Sequence, residues 1–233
     1  DPHLLRFAAR RMLRIWPGLL AAVLLCVGVL GPLVSTLPAA EYWSHSLTRG
    51  YFANMWLDTR YALPGVFDSN PFPSSVNGPL WTIPLEVACY VAVAILGALG
   101  LVRTRFIPPL LLLTLAAALQ WRYSPTADEL MPAWSPLLQY ALFFTLGASL
   151  ACWRAGWQRR RLLTAAVLLA LLLVLRLTGP NVISGQVPLL IIATLGVIWG
   201  TAATPLLHRA GRWGDFSYGL YIYAFPVQQL IVW

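Results

Sequence analysis

A single acidic residue stands inside an apolar stretch long enough to cross a bilayer. It is Glu86, in Asn77-Gly78-Pro79-Leu80-Trp81-Thr82-Ile83-Pro84-Leu85-Glu86. A lone carboxylate in a membrane helix is costly and by default marks a function or a specific partner. Thr82, Glu86, Cys89 and Tyr90 recur at spacings of three and four, so they share one helix face turned toward a bundle interior or a cavity. A purely structural glutamate paired with an arginine is the competing reading. The second feature is basic: Arg6, Arg10, Arg11 and Arg14 precede the first apolar run at helical spacings. Several guanidinium groups there can converge on one polyanion, and the phosphates of a cytosolic cofactor suit their fork geometry. Lipid headgroups and topology account for the same cluster equally well. Near the end of the chain, Tyr218, Tyr221 and Tyr223 offer hydroxyls that seek partners inside a membrane, or form an amphipathic aromatic face.

Other chemistries find no template. His3, His45 and His208 lie outside the apolar runs and read as loop histidines. Cys26, Cys89 and Cys152 sit in apolar stretches as ordinary small buried side chains. HExxH and CxxC spacings, a phosphate-cradling glycine loop and a GxSxG elbow are all missing, so no metal site is expected.

The elements that position these residues follow from composition. Of 233 residues, 59% are hydrophobic and 10% charged, against about 25% charged in soluble domains. A water-soluble single domain is excluded. The net charge is +8 and all 16 basic residues are arginine, which points to anionic lipid or an anionic ligand. Confinement of those arginines to membrane flanks argues against nucleic acid. Apolar windows predict seven helices near 17–37, 79–102, 106–121, 136–153, 162–178, 187–206 and 216–233. The fold class is all-α, a polytopic membrane bundle. Pro17, Pro79, Pro108 and Pro136 stand where helices start, while Pro32, Pro84 and Pro226 mark kinks. Residues 39–77 form one long polar and aromatic loop, and no internal repeat is present.

Arginine bookkeeping orients the bundle, because short cytoplasmic loops carry the positive excess. Arg6, Arg10, Arg11, Arg14, Arg103, Arg105, Arg154, Arg159, Arg160, Arg161, Arg209 and Arg212 fall on one side of the alternating spans. Arg49, Arg60, Arg122 and Arg176 fall on the other, with Glu41, Asp58, Asp68, Asp128 and Glu129. The chain therefore starts in the cytoplasm and the long loop faces outward. Tryptophans near the predicted span ends fit an interfacial belt.

Three stretches in this order resemble the membrane acyltransferase-3 family. Arg10-Arg11-Met12-Leu13-Arg14-Ile15-Trp16-Pro17 is similar to its arginine-rich RxxR stretch, and Gly78-Pro79-Leu80-Trp81 leads to Glu86 as in the family. The third stretch is Asp215-Phe216-Ser217-Tyr218-Gly219-Leu220-Tyr221 followed by Phe225-Pro226. Phe143-Phe144-Thr145-Leu146-Gly147 also fits a phenylalanine-glycine span of the family. The resemblance covers the chain as a single domain, 1–233.

What the resemblance implies is a bacterial inner-membrane enzyme of ten spans. Two spans would precede Asp1 and one would follow Trp233, so both ends read as cut. It would take acyl groups, commonly acetyl, from cytosolic acyl-CoA as co-substrate to a hydroxyl of an envelope polysaccharide or glycolipid. Arg10, Arg11 and Arg14 would serve the donor, with Arg11 and Arg14 as the RxxR pair. Glu86 would be the functional carboxylate, and Trp81, Tyr218 and Tyr221 would be motif residues. Two departures stand out: a proposed catalytic histidine belongs to an upstream helix outside this chain, and Ala224 stands where many members place histidine. An inactive fragment is one alternative, and a transporter or channel subunit with Glu86 lining its pathway is another. In the loop, Tyr42, Trp43, Tyr51, Trp56 and Tyr61 are candidates for stacking on sugar faces or for interfacial anchoring.

Overall fold

Each of the seven apolar windows holds a helix in the computed structural model, which describes residues 4–101, 104–122, 135–178, 186–202 and 216–233. Among the described residues there is no strand. The chain separates into two compact units, Asp1–Ala94 with Gly211–Trp233, and Ile95–Ala210.

The first unit is organised on α1, Leu4–Leu25, which runs through a π-turn, Cys26–Leu30, into the short α2, Gly31–Val34. Ile15, Leu19, Ala22, Val23, Cys26 and Val27 are buried at spacings of three and four, a single stripe down the helix. The helix begins well before the predicted boundary at Pro17, which lies in its interior rather than its first turn. Arginine, leucine and alanine are strong helix formers. They carry the helix upstream past the one hydrogen bond that Pro17 removes. The arginine cluster is thereby held in fixed helical register. Pro32 stands in the first turn of α2, just after the π-turn, at whose end the Gly31 N–H reaches back to the Cys26 carbonyl.

Residues 39–77 fold into a cap rather than an extended loop. Helices α3, Ala39–Ser44, and α4, Ser46–Tyr51, lead into a 3₁₀ turn, Phe52–Trp56. Tyr42, Tyr51, Leu63, Val66, Phe67 and Val76 are buried in one cluster with the α1 stripe. The Tyr42 hydroxyl donates to the Val27 carbonyl at 2.8 Å. Only glycine fits at position 31, because a Cβ there would lie 1.9 Å from that hydroxyl. Gly65, at φ +67°, makes a second close approach, its carbonyl accepting from the Thr36 N–H at 3.0 Å.

A 3₁₀ turn, Gly78–Trp81, opens α5, Thr82–Ala98, and the last helix of the chain, Ser217–Val232, completes the unit. Pro84 falls in the first turn of α5, where its missing N–H disrupts no intrahelical bond, so it does not kink the helix. Pro226 lies inside the last helix and leaves the Ile222 carbonyl without its helical donor. The buried Asn77 amide supplies one at 2.9 Å. Gln229 repeats the device, donating to the carbonyls of Phe72 at 2.9 Å and Ser75 at 2.6 Å.

The second unit contains α6, Ile107–Arg122; α7, Ser135–Cys152; α8, Arg154–Arg159; α9, Arg161–Thr178; and α10, Gln186–Gly200. Helix α7 packs on α6 and α10, and α10 on α9. Arg105 stacks on Phe106 and Trp153, each ring centroid 5.1 Å from its guanidinium. The remaining helix, Ser217–Val232, is α11. Cys152 is exposed at the end of α7, unlike the buried Cys26 and Cys89, because the apolar run stops there.

Among the described residues, two helical runs, Leu4–Val34 and Gly78–Ala98, are long and apolar enough to cross a membrane. Ile107–Ala118, Pro136–Cys152 and Val187–Gly200 are shorter apolar helices, below the roughly 20 residues of a typical span. Arg103, Asp128, Glu129, Trp134, His3, His208, Arg209, Arg212 and Asp215 lie outside the described residues.

Candidate active site

Glu86 is half-buried on α5, one turn before Tyr90. The Tyr90 hydroxyl donates to Glu86 Oε1, a bond that the i, i+4 spacing makes possible. From α1, the Arg11 guanidinium lies 4.8 Å from the centre of the Tyr90 ring and 5.4 Å from that of Phe7. Phe7 meets Tyr90 edge-on at 6.4 Å. A guanidinium between two aromatic faces is held by their negative quadrupoles while its N–H edge stays available to an anion. Arg14, one turn further along α1, acts on Tyr90 electrostatically together with Arg11. Arg11, Tyr90 and Glu86 thus form one connected set built from two helices.

Helix α11 closes the set from a third side. The Tyr218 hydroxyl donates to the Ile15 carbonyl at 3.0 Å. Gly18 makes room for it, since a Cβ there would stand 2.5 Å from the ring. Tyr221 bonds the Thr82 hydroxyl and donates to the Pro79 carbonyl at 3.1 Å. Gly78 allows Phe225 to approach in the same way. The turn before α5 is therefore locked to α11 by Asn77, Thr82 and Tyr221.

An apolar cavity of about 120 Å³ adjoins Arg11 and Tyr90, lined among others by Met12, Trp16, Val87 and Val91. It lies between α1 and α5.

The sequence-predicted residues separate into two groups. Glu86, Arg11, Arg14, Tyr218 and Tyr221 are brought into one region. Arg10, like Arg14, is exposed on α1, and Trp81 is 43% exposed while its neighbour Leu80 is the buried residue of the turn. Tyr90 and Asn77 carry more of the geometry than their places in the motifs suggested. For Tyr90 the signal was its i, i+4 spacing from Glu86. For Asn77 it was a buried amide facing a proline-broken helix, which needs the tertiary structure to be seen. His45 caps α4, its Nδ1 accepting from the Leu47 N–H at 3.1 Å. Among the described residues no three His, Cys, Asp or Glu side chains gather as metal ligands.

In the cap, burial pushes the Tyr42 phenol up to about 12, with the neighbouring Cys26 thiol adding to the shift. Burial likewise pushes the Tyr51 phenol well above the usual tyrosine range. Its hydroxyl lies beside Cys26 without a well-formed hydrogen bond.

Comparison with known proteins gives two findings. The profile of the acyltransferase-3 family, described as an acyltransferase domain, matches residues 2–232. An O-acetyl transferase of Shigella phage Sf6 is 29% identical over 230 residues, 97% of this chain and 66% of that protein. The chain thus spans just under two thirds of that relative's length. No solved structure matches.

Proposed function

We propose, from the premise that this chain belongs to the acyltransferase-3 family of polytopic membrane proteins, that it forms the core of an O-acyltransferase. The chain of 1–233 is read as one acyltransferase domain in a bacterial inner membrane, with the arginine cluster cytoplasmic and the cap external. Acyl-CoA is the donor, acetyl the preferred group, and a hydroxyl of an envelope polysaccharide or glycolipid the acceptor. The observation that carries the reading is the connected set Arg11, Tyr90 and Glu86, which joins the arginine cluster to the intramembrane carboxylate.

In this reading Arg11 and Arg14 bind the phosphates of the donor, with Arg10 adding charge on the flank. The apolar cavity beside Arg11 suits the start of the donor's pantetheine arm, next to the phosphates. The acceptor oxygen attacks the thioester carbonyl and its proton leaves toward Glu86, directly or through an upstream general base. The carbon–sulfur bond breaks, giving the acyl ester and the CoA thiol. Tyr90 orients the Glu86 carboxylate, and Tyr218 ties α11 to α1 at Ile15. Trp81 and Tyr221 hold the turn that aims α5. The phage relative's name supports acetyl as the group transferred.

The test uses the full-length protein in detergent. Glu86→Gln is expected to abolish transfer while leaving the protein folded and membrane-inserted, and acyl-CoA should stabilise the wild type but not Arg11→Ala/Arg14→Ala. Retained turnover in Glu86→Gln would reduce Glu86 to a structural residue.

A further inference from the structure

The cap carries a second cavity, of mixed polar and apolar lining, that the Glu86 region does not use. It measures about 320 Å³ and is lined among others by Ser46, Leu47, Thr59, Arg60 and Tyr61. That is the lower end of the range of roughly 300–1,000 Å³ for small-molecule sites, room for one sugar residue. One wall is fixed from beneath. The buried Asn54 amide donates to the carbonyls of Tyr51 and Arg60 at 2.8 and 2.9 Å, and its Oδ1 accepts from the Arg60 N–H at 2.9 Å. The Tyr61 carbonyl accepts from the Val76 N–H at 2.9 Å. Arg60 and Asp58 are paired, with Nη2 and Nε at 2.6 and 3.2 Å from the same carboxylate oxygen.

We propose that this cavity binds a neutral sugar residue of the glycan acceptor, next to the one that is acylated. The inference rests on the transferase reading above and adds the acceptor subsite. Sugar hydroxyls both donate and accept, and the cavity offers both through Ser46 and Thr59, with Arg60, whose charge Asp58 pairs, as a further donor. Because Asp58 already matches the Arg60 charge, an acidic sugar would have to displace it, whereas neutral hydroxyls bridge the pair unopposed. The apolar face of a sugar ring needs an aromatic platform, and at this cavity Tyr61 supplies it. Tyr42 and Tyr51 are consumed in the core of the cap, while Tyr61 is 40% exposed at the cavity. The Asn54 clamp pre-orders the wall, which lowers the ordering cost of binding.

The experiment uses the full-length protein and oligosaccharides released by mild acid from the envelope polysaccharide of the bacterium carrying the gene, separated by charge. Tyr61→Ala is expected to raise the acceptor KM about tenfold, with kcat and the donor KM preserved. Tyr61→Phe should retain the wild-type acceptor KM, and unchanged melting temperatures verify folding. Binding is read separately, without donor, by saturation-transfer NMR. Sugar signals present in the wild type and lost in Tyr61→Ala support the subsite even if no transfer occurs, in which case the transferase reading alone fails. Binding that is absent, confined to acidic oligosaccharides or unchanged in Tyr61→Ala overturns the proposal.

Discussion

The two units of this chain are stabilised in different ways. In the first, α1, the cap and α11 are tied by buried side-chain hydrogen bonds that bridge distant parts of the sequence, such as Asn77 to Ile222 and Asn70 to Gln229. The main buried apolar cluster lies there as well. In the second, the described helices bury few side chains, Leu142, Ile191 and Ile198 among them, and present Leu162, Leu169, Leu173, Val187 and Trp199 outward. Most side-chain bonds in that unit are local, Thr145 and Ser149 bonding carbonyls three or four residues back. A carboxylate inside a membrane helix needs partners held at fixed distance, and long-range polar ties provide that. Helices that only meet lipid and each other do not require them.

Breaking the contrast at its tightest point should have the largest effect. Gly31→Val puts carbon where the Tyr42 hydroxyl sits, forcing the ring out of the core and costing the bond to Val27. Overpacking together with a lost buried bond amounts to about 3 kcal/mol or more. The expected result is a large drop in melting temperature in detergent, with protease cleavage appearing within 39–77. Asn77→Ala comes next. It leaves the Ile222 carbonyl at Pro226 buried without a donor, a loss of about 1–3 kcal/mol. Thermal unfolding checks this, and an unchanged melting temperature would show that the carbonyl finds another partner.

The cap also predicts an alkaline weakness. Its buried Tyr42 and Tyr51 keep their protons well above the usual tyrosine range, Tyr42 to about 12. The unfolded chain ionises near pH 10. The stability these groups contribute is therefore fully present below pH 10 and falls as pH rises toward 12. A melting temperature that declines across that window, less so in Tyr42→Phe, is the expected result. Smallest of all is Leu169→Ala on the exposed face of α9, expected to change stability by no more than about 0.5 kcal/mol. An effect matching that of Asn77→Ala would erase the distinction between the units.

Legibility in the sequence followed the same division. Apolar windows located α6, α7, α9, α10 and α11 to within a few residues, because a helix in lipid is specified by local composition. The first helix starts at Leu4, well before the boundary that Pro17 suggests, because the Arg-, Leu- and Ala-rich stretch upstream is strongly helix-forming. The cap was legible as a segment but not as a fold. Its aromatics divide into buried Tyr42 and Tyr51 and exposed Trp43, Trp56 and Tyr61, a division made by packing against α1 rather than by their own neighbours in sequence.

For the candidate site, residue type and spacing by themselves determined the isolated carboxylate at Glu86, the arginine cluster around Arg11 and Arg14, and the family to which the chain belongs. Helical periodicity also put Tyr90 beside Glu86. Only the tertiary structure decided that Arg11 stacks on Tyr90, that Tyr218 reaches Ile15, and that Asn77 mends the break at Pro226. Those contacts join helices 79 to 203 residues apart, as in the bond from Tyr218 to Ile15. No local period encodes them. They exist because buried polar groups must find partners wherever the packed helices bring them.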